Sequence, residues 1–158
     1  VDDEPVPFHD KAEMKIKIAK DSYPDKEKYG LVSIKGNKES WVGGTYDDGY
    51  MKVNIREAGG TYAVTYDNIP PVITPVQPEI WEKQKKILIR AVDDKSGISS
   101  FRGTIDGKYA LFERDVKTTI YTYHFDSSRL EKGKKHSLEF TVTDDCGNTS
   151  VYTSQFYY

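Results

Sequence analysis

Leu130-Glu131-Lys132-Gly133-Lys134-Lys135-His136-Ser137-Leu138-Glu139-Phe140-Thr141-Val142-Thr143-Asp144-Asp145-Cys146-Gly147-Asn148 is the stretch on which the fold turns. From Ser137 to Thr143 the apolar residues Leu138, Phe140 and Val142 fall on every second position. That period gives a strand with one face buried. Glu131-Lys132-Gly133 turns the chain ahead of the strand, and Cys146-Gly147-Asn148 turns it again behind.

The same pattern continues in both directions. Upstream lie apolar or alternating runs at Val72-Ile73, Lys86 to Val92, Ile98 to Ile105, Lys108 to Glu113 and Thr119 to Phe125. Thr149 to Phe156 follows downstream, and Lys95-Ser96-Gly97 and Asp106-Gly107 supply further turns. Seven short strands with turns at near-regular spacing predict a β-sandwich over residues 69–158.

Asp67-Asn68-Ile69-Pro70-Pro71 marks the boundary, because Pro70 and Pro71 lack backbone donors and hold an extended, stiff connection. Before it, Met14 to Ile18, Leu31 to Ile34 and Thr61 to Tyr66 read as strands. Trp41 to Tyr46 and Tyr50 to Ile55 read as a hairpin joined by Asp47-Asp48-Gly49. About five strands make residues 1–68 a small antiparallel β-domain. No stretch keeps helical periodicity; Glu79 to Lys86 is at most a loop or one turn. The expectation is an all-β chain of two antiparallel domains.

Composition narrows the function. The hydrophobic fraction is 37%, and aromatics carry much of it, with 12 Tyr, 6 Phe and 2 Trp against 2 Met. Tyrosine suits a thin sandwich, since the ring packs on the sheet while the hydroxyl reaches the rim. The net charge of −2 arises from 23 basic and 25 acidic residues, well interspersed, so no basic stripe points to nucleic acid. No apolar run approaches the roughly 20 residues of a membrane span, and no membrane insertion is expected in this segment. The opening Val1-Asp2-Asp3-Glu4-Pro5-Val6-Pro7 has no initiator Met and suits an excised or matured product. Cys146 is the single cysteine, which excludes an intramolecular disulfide.

The pattern Leu130-x-x-Gly133-x-x-His136-x-Leu138-x-Phe140-x-Val142-x-Asp144-Asp145-x-Gly147-Asn148 resembles the E–F corner, F strand and F–G turn of bacterial immunoglobulin-like repeats. Asp67-x-x-Pro70-Pro71-x-Ile73 resembles their opening. The resemblance implies an immunoglobulin-like sandwich in which Leu130 plugs one end and Gly133, His136 and Gly147 shape the corner and turn. A narrower resemblance runs through Ser96-Gly97-Ile98, Arg102 to Lys108 and Leu111-Phe112-Glu113, with Gly43-Gly44-Thr45-Tyr46-x-x-Gly49 and Gly60-Thr61-Tyr62. It is similar to the non-catalytic C-terminal region of lysostaphin-like zinc metallopeptidases of the bacterial cell envelope. That likeness implies an extracytoplasmic accessory module whose main partner, a catalytic domain, is absent from this chain. It further implies a surface such as peptidoglycan, a glycan or an envelope protein nearby. The competing expectation is a stand-alone adhesion or glycan-binding module.

Catalytic constellations are not legible. The lysostaphin-type zinc site needs a His-x-His strand with a further His and Asp, whereas His9, His124 and His136 are far apart in sequence. His9 is expected in a terminal tail, and His136 to hydrogen-bond backbone at the corner. Cys146 sits in a turn without a nearby histidine and reads as a small buried residue. Asp47-Asp48, Asp93-Asp94 and Asp144-Asp145 read as turn carboxylates. The chain is therefore expected not to be an enzyme and to need no cofactor.

Two binding hypotheses remain. In an immunoglobulin-like sandwich the N-terminus and the B–C and F–G loops share one pole. Asp67, Asn68, Asp93, Asp94, Asp144, Asp145 and Asn148 would then supply the oxygen ligands that Ca²⁺ prefers. The same residues would otherwise form Asx-turns without an ion. Trp81 and Tyr109, on a connection and beside a hairpin turn, could stack on a sugar or a protein partner, or simply cover a thin core.

Overall fold

A computed structural model describes residues 6–158 of the chain. By packing, the described residues divide into two compact units, one running to residue 69 and taking in Asp145–Gly147, the other comprising residues 70–144 and 148–158. Alternating sequence forms strand in both, and all the strand pairing is antiparallel.

The first unit contains β1 (Val6–Lys17), β2 (Tyr29–Lys35), β3 (Lys38–Gly43), β4 (Thr45–Asp47), β5 (Tyr50–Ala58) and β6 (Thr61–Tyr66). They form two three-stranded sheets, β1-β5-β4 and β3-β2-β6. The expected strand from Trp41 to Tyr46 is in fact two, one in each sheet. Gly43 and Gly44 hold φ of 86° and 116°, a left-handed backbone that only glycine adopts cheaply, and the ladder breaks there. A Cβ at Gly44 would also lie 2.9 Å from the Lys52 carbonyl oxygen, so the close approach needs glycine twice over. A further hairpin joins β2 to β3 through the two-residue turn Gly36-Asn37. His9 lies inside β1 rather than in a tail.

Leu31 and Met51 are fully buried at the centre of this unit, with Ile18 and Tyr29 beside them. So small a core is supplemented by tyrosines. Tyr23 stacks on Tyr66 at 4.1 Å between ring centroids, and Tyr29 meets Tyr66 edge-on at 5.1 Å. Lys26 pairs with Asp21 while its ammonium sits 5.4 Å above the Tyr46 ring, and Tyr46 donates its hydroxyl to Asp21 at 2.6 Å. These contacts pin the connection between β1 and β2. Trp41 donates to the Asp145 carboxylate at 2.7 Å, and its ring lies where any Cβ on Gly30 would collide.

The second unit contains β7 (Val72–Pro75), the one-turn helix α1 (Trp81–Gln84), β8 (Lys86–Val92), β9 (Ile98–Ile105) and β10 (Lys108–Ala110). It continues with β11 (Glu113–Asp115), β12 (Ile120–His124), β13 (Lys135–Asp144) and β14 (Thr149–Tyr157). The sheets run β7-β8-β12-β11 and β10-β9-β13-β14. This is the A-B-E-D and C′-C-F-G order of an immunoglobulin-like sandwich. It has eight strands rather than about seven, because Lys108 to Glu113 is not one strand. At Leu111-Phe112 the chain leaves one sheet for the other, and Phe112 turns into the core while Leu111 stays exposed.

The sandwich core alternates as the sequence does. Leu138, Phe140 and Val142 of β13 face Ile87, Ile89 and Ala91 of β8, and Tyr121 and Tyr123 of β12 join the same cluster. Phe140 touches Phe101, Phe112 and Tyr121, with centroids 4.8–6.1 Å apart. Gly103 admits Phe112, whose ring would lie 2.3 Å from a Cβ at that position. Truncating a buried ring at such a centre typically costs about 3–5 kcal/mol.

One core group breaks the pattern of satisfaction. The Tyr121 side chain is fully buried, and its hydroxyl has no hydrogen-bond partner among the described residues. A buried hydroxyl without a partner costs about 1–3 kcal/mol. Tyr121→Phe is therefore expected to stabilise the protein by about 1 kcal/mol or more. Urea unfolding followed by fluorescence checks this; a destabilised variant would show that the hydroxyl has a partner in solution.

Candidate functional site

The only ionisable pair built around a buried histidine among the described residues lies at the start of β13. His136 is 5% exposed. Its Nδ1 lies 2.6 Å from Asp106 Oδ2 and its Nε2 lies 2.9 Å from the Glu131 carbonyl oxygen. Both partners are acceptors, so a neutral imidazole could donate to one of them and only the imidazolium to both. Asp106 Oδ1 accepts the Ser137 N–H at 2.8 Å, and the Asp106 N–H donates to the Ser137 carbonyl. Asp106 and Gly107 hold φ of 52° and 74°, the doubly positive pattern of a tight hairpin turn. The turn thus aims the carboxylate at β13.

Burial by itself lowers the His136 pKa, but the Asp106 hydrogen bond and the Glu131 carbonyl outweigh it and leave the pKa raised above 6.5. Burial likewise opposes ionisation of Asp106, while His136 and the Ser137 amide prevail and lower its pKa below 3.8. The histidine contribution is complete below pH 6.5 and is lost as pH rises through the raised folded value. The aspartate contribution is complete above 3.8 and is lost as pH falls through the lowered folded value. Stability from this pair is thus greatest between those two ordinary values. His136→Gln is expected to lower the melting temperature most near pH 5.5 and progressively less towards pH 9, as read by calorimetry. A pH-independent loss would mean that the imidazole acts through packing alone.

Of the other reactive residues, the cysteine is tied into the fold and two histidines are exposed. Cys146 is buried; its thiol faces the Lys28 carbonyl at 3.7 Å, and its carbonyl accepts the Lys28 ammonium at 2.8 Å. His124 is exposed on β12, and exposed His9 lies with Asp10, Lys11 and Arg56. Leu130 is buried in the sandwich cluster as a plug, and Gly133 and Gly147 hold φ of 74° and 75° at their turns. Pro70 is exposed, while Pro71 is buried and its carbonyl accepts the Ser150 hydroxyl.

Of the expected calcium ligands, Asp67, Asp93 and Asp144 cap turns. In the first unit Asp67 is buried and accepts the Ile69 N–H, Asn68 is exposed, and Asp145 is held by Trp41. In the second, Asp93 accepts the N–H groups of Lys95 and Gly97 at 3.1 and 2.7 Å, and Asp94 is exposed. Asp144 is 1% exposed and accepts the Asn148 backbone N–H at 2.8 Å and its side-chain amide at 2.7 Å. Oxygens of Asp93 and Asp144 lie within 4.8 Å of one another, a spacing that a shared Ca²⁺ could bridge. Since both carboxylates already hold backbone donors, the expected result is an unchanged melting temperature between chelator and millimolar Ca²⁺. A calcium-dependent rise that Asp93→Asn removes would instead place an ion on this pair.

The two aromatic candidates part company. Trp81 is 2% exposed and donates its indole N–H to the Val76 carbonyl at 2.8 Å, so it is a core residue and not a binding platform. The reason is local: Trp81 starts α1, which folds back on β8 and β14. Tyr109 is 55% exposed, with the Arg102 guanidinium 5.9 Å from its ring. Beside it opens a pocket of about 330 Å³ with Lys108, Arg129 and the buried Ala110, Tyr123 and Leu130 in its lining. Lys108 and Arg129 carried no sequence signal, because β10 and the loop before β13 meet only in the folded sandwich.

A family model described as a domain of unknown function (DUF7743) matches residues 65–158, and one described as a Zu5-like domain matches residues 1–67. No curated relative matches the sequence. A crystal structure of a chicken TCR aligns with 96% of this chain and 95% of its own, at 7% identity and a TM-score of 0.28. At that score the alignment carries no argument, and the strand order alone establishes the sandwich. Among the described residues, no helix is long and apolar enough to cross a membrane.

Proposed function

For a chain that belongs to the DUF7743 family through residues 65–158, we propose the role of a non-catalytic accessory module that positions or tethers a larger cell-envelope protein. The observation that supports this reading is the condition of the reactive side chains. His136 is bonded at both ring nitrogens, and Cys146 is buried in a turn. A general base needs a free lone pair within reach of substrate, and a thiol nucleophile needs access and an activating partner. These groups serve strand register and turn closure instead.

The envelope location and the peptidase partner rest on the resemblance of Ser96 to Glu113 and of the glycine-rich runs around Gly43 and Gly60. In that setting the module contributes geometry: Pro70 and Pro71 stiffen the connection between its two parts. An antibody raised against the chain and used on fractionated source cells tests the proposal. The expected band migrates well above 18.0 kDa in the envelope fraction. A band near 18.0 kDa in the cytosol would overturn it. Binding of the isolated chain to whole envelopes, without any catalytic partner, would favour the adhesion reading instead.

A further inference from the structure

We propose that the pocket beside Tyr109 binds an acidic saccharide unit, a single sugar ring bearing a carboxylate. Its floor is apolar, formed by Ala110, Tyr123 and Leu130, all 3–5% exposed. Its mouth carries Lys108, Tyr109 and Arg129. A buried apolar floor with a few polar groups at the rim is the usual form of a small-ligand site, and about 330 Å³ is near the lower end of the range. That size admits one ring and not a chain of them.

The charge at the mouth is unbalanced towards cation. Lys108 has no ion-pair partner among the described residues, and Arg129 has only a 3.8 Å contact with Asp126, both side chains being exposed. Asp106, the acid in the lining, has both oxygens taken by His136 and Ser137. Its side chain is 47% exposed, so the lining sets two cations against one acid and keeps a cation in excess. An ammonium and a guanidinium facing the same space suit a carboxylate, the guanidinium by paired hydrogen bonds.

The ring preference comes from Tyr109. Arg102 holds one approach to the tyrosine at 5.9 Å, yet the side chain remains 55% exposed, so it is an oriented surface available for stacking. A peptide is disfavoured by the strand geometry. Adding a peptide strand needs a run of free backbone groups along an edge, and β10, the edge strand here, is three residues long.

The test uses the whole chain, with amide chemical shifts followed by NMR at low ionic strength. The probes are glucuronic acid, neutral N-acetylglucosamine, acetate and N-acetylphenylalanine. Glucuronic acid is expected to shift the amides of Lys108 to Ala110 and of Arg129 and Leu130 saturably. The other three should bind at least about tenfold more weakly. The double variant Lys108→Gln, Arg129→Gln changes exposed residues only and should weaken glucuronate at least about tenfold. Tyr109→Ala should weaken glucuronate while leaving the acetate response as it was. Equal responses to glucuronate and acetate would reduce the site to a general anion patch and overturn the proposal. Tighter binding of N-acetylphenylalanine, or shifts confined elsewhere, would overturn it too. Each of these failures leaves the accessory-module reading standing, because that reading is tested by size and location.

Discussion

The His136 ring is held between Asp106 and the Glu131 carbonyl at the point where β13 begins, and the rest of the sandwich is arranged around the strand it anchors. β13 is the inner strand between β9 and β14, paired along nine positions with β14 and along seven with β9. A slip of one residue would carry Leu138, Phe140 and Val142 out of the core and bring Glu139 and Thr141 in. The clamp opposes that slip from one end. Asp106 joins the β9–β10 turn to Ser137 through backbone and side chain, and His136 ties the same carboxylate to the loop before β13.

The consequence reaches the surface. The turn that carries Asp106 presents Lys108 and Tyr109 outward, and the loop held at Glu131 places Leu130 in the core beside Arg129. The groups that maintain register and the groups that line the pocket are thus neighbours in chain, and Asp106 belongs to both. A stabilising device and a candidate binding surface share one end of the sandwich.

The first unit shows how a small β-domain manages with little aliphatic core. Four buried residues, Ile18, Tyr29, Leu31 and Met51, form its centre. Tyrosine rings then carry packing outward to where their hydroxyls meet polar partners, as Tyr46 does with Asp21 and Tyr29 with the Tyr23 N–H. Lys26 completes the group by lying over two of the rings. The tyrosine-rich composition was the signal of this construction, although which rings would meet was not readable from it.

Local chemistry determined what the sequence alone revealed. Alternation at Leu138, Phe140 and Val142 required a half-buried strand, Asp-Gly steps at 48–49 and 106–107 required tight turns, and the absence of helical period kept the chain all-β. These are properties of adjacent residues, so adjacency sufficed to read them. Leu130 and His136 stand close in sequence to the strand they serve, so their burial and backbone contact could be expected from the turn ahead of it. Other features needed the tertiary structure. Whether Gly43-Gly44 and Leu111-Phe112 continue a strand or carry it to another sheet depends on which partner strands are in reach. Trp81 looked available on a connection, and is buried because α1 folds onto β8 and β14. Asp106 looked like a turn residue, and becomes the partner of a histidine 30 positions away because β9 and β13 pair. Lys108 and Arg129 face one pocket for the same reason: strand pairing brings distant residues together, and spacing along the chain does not report it.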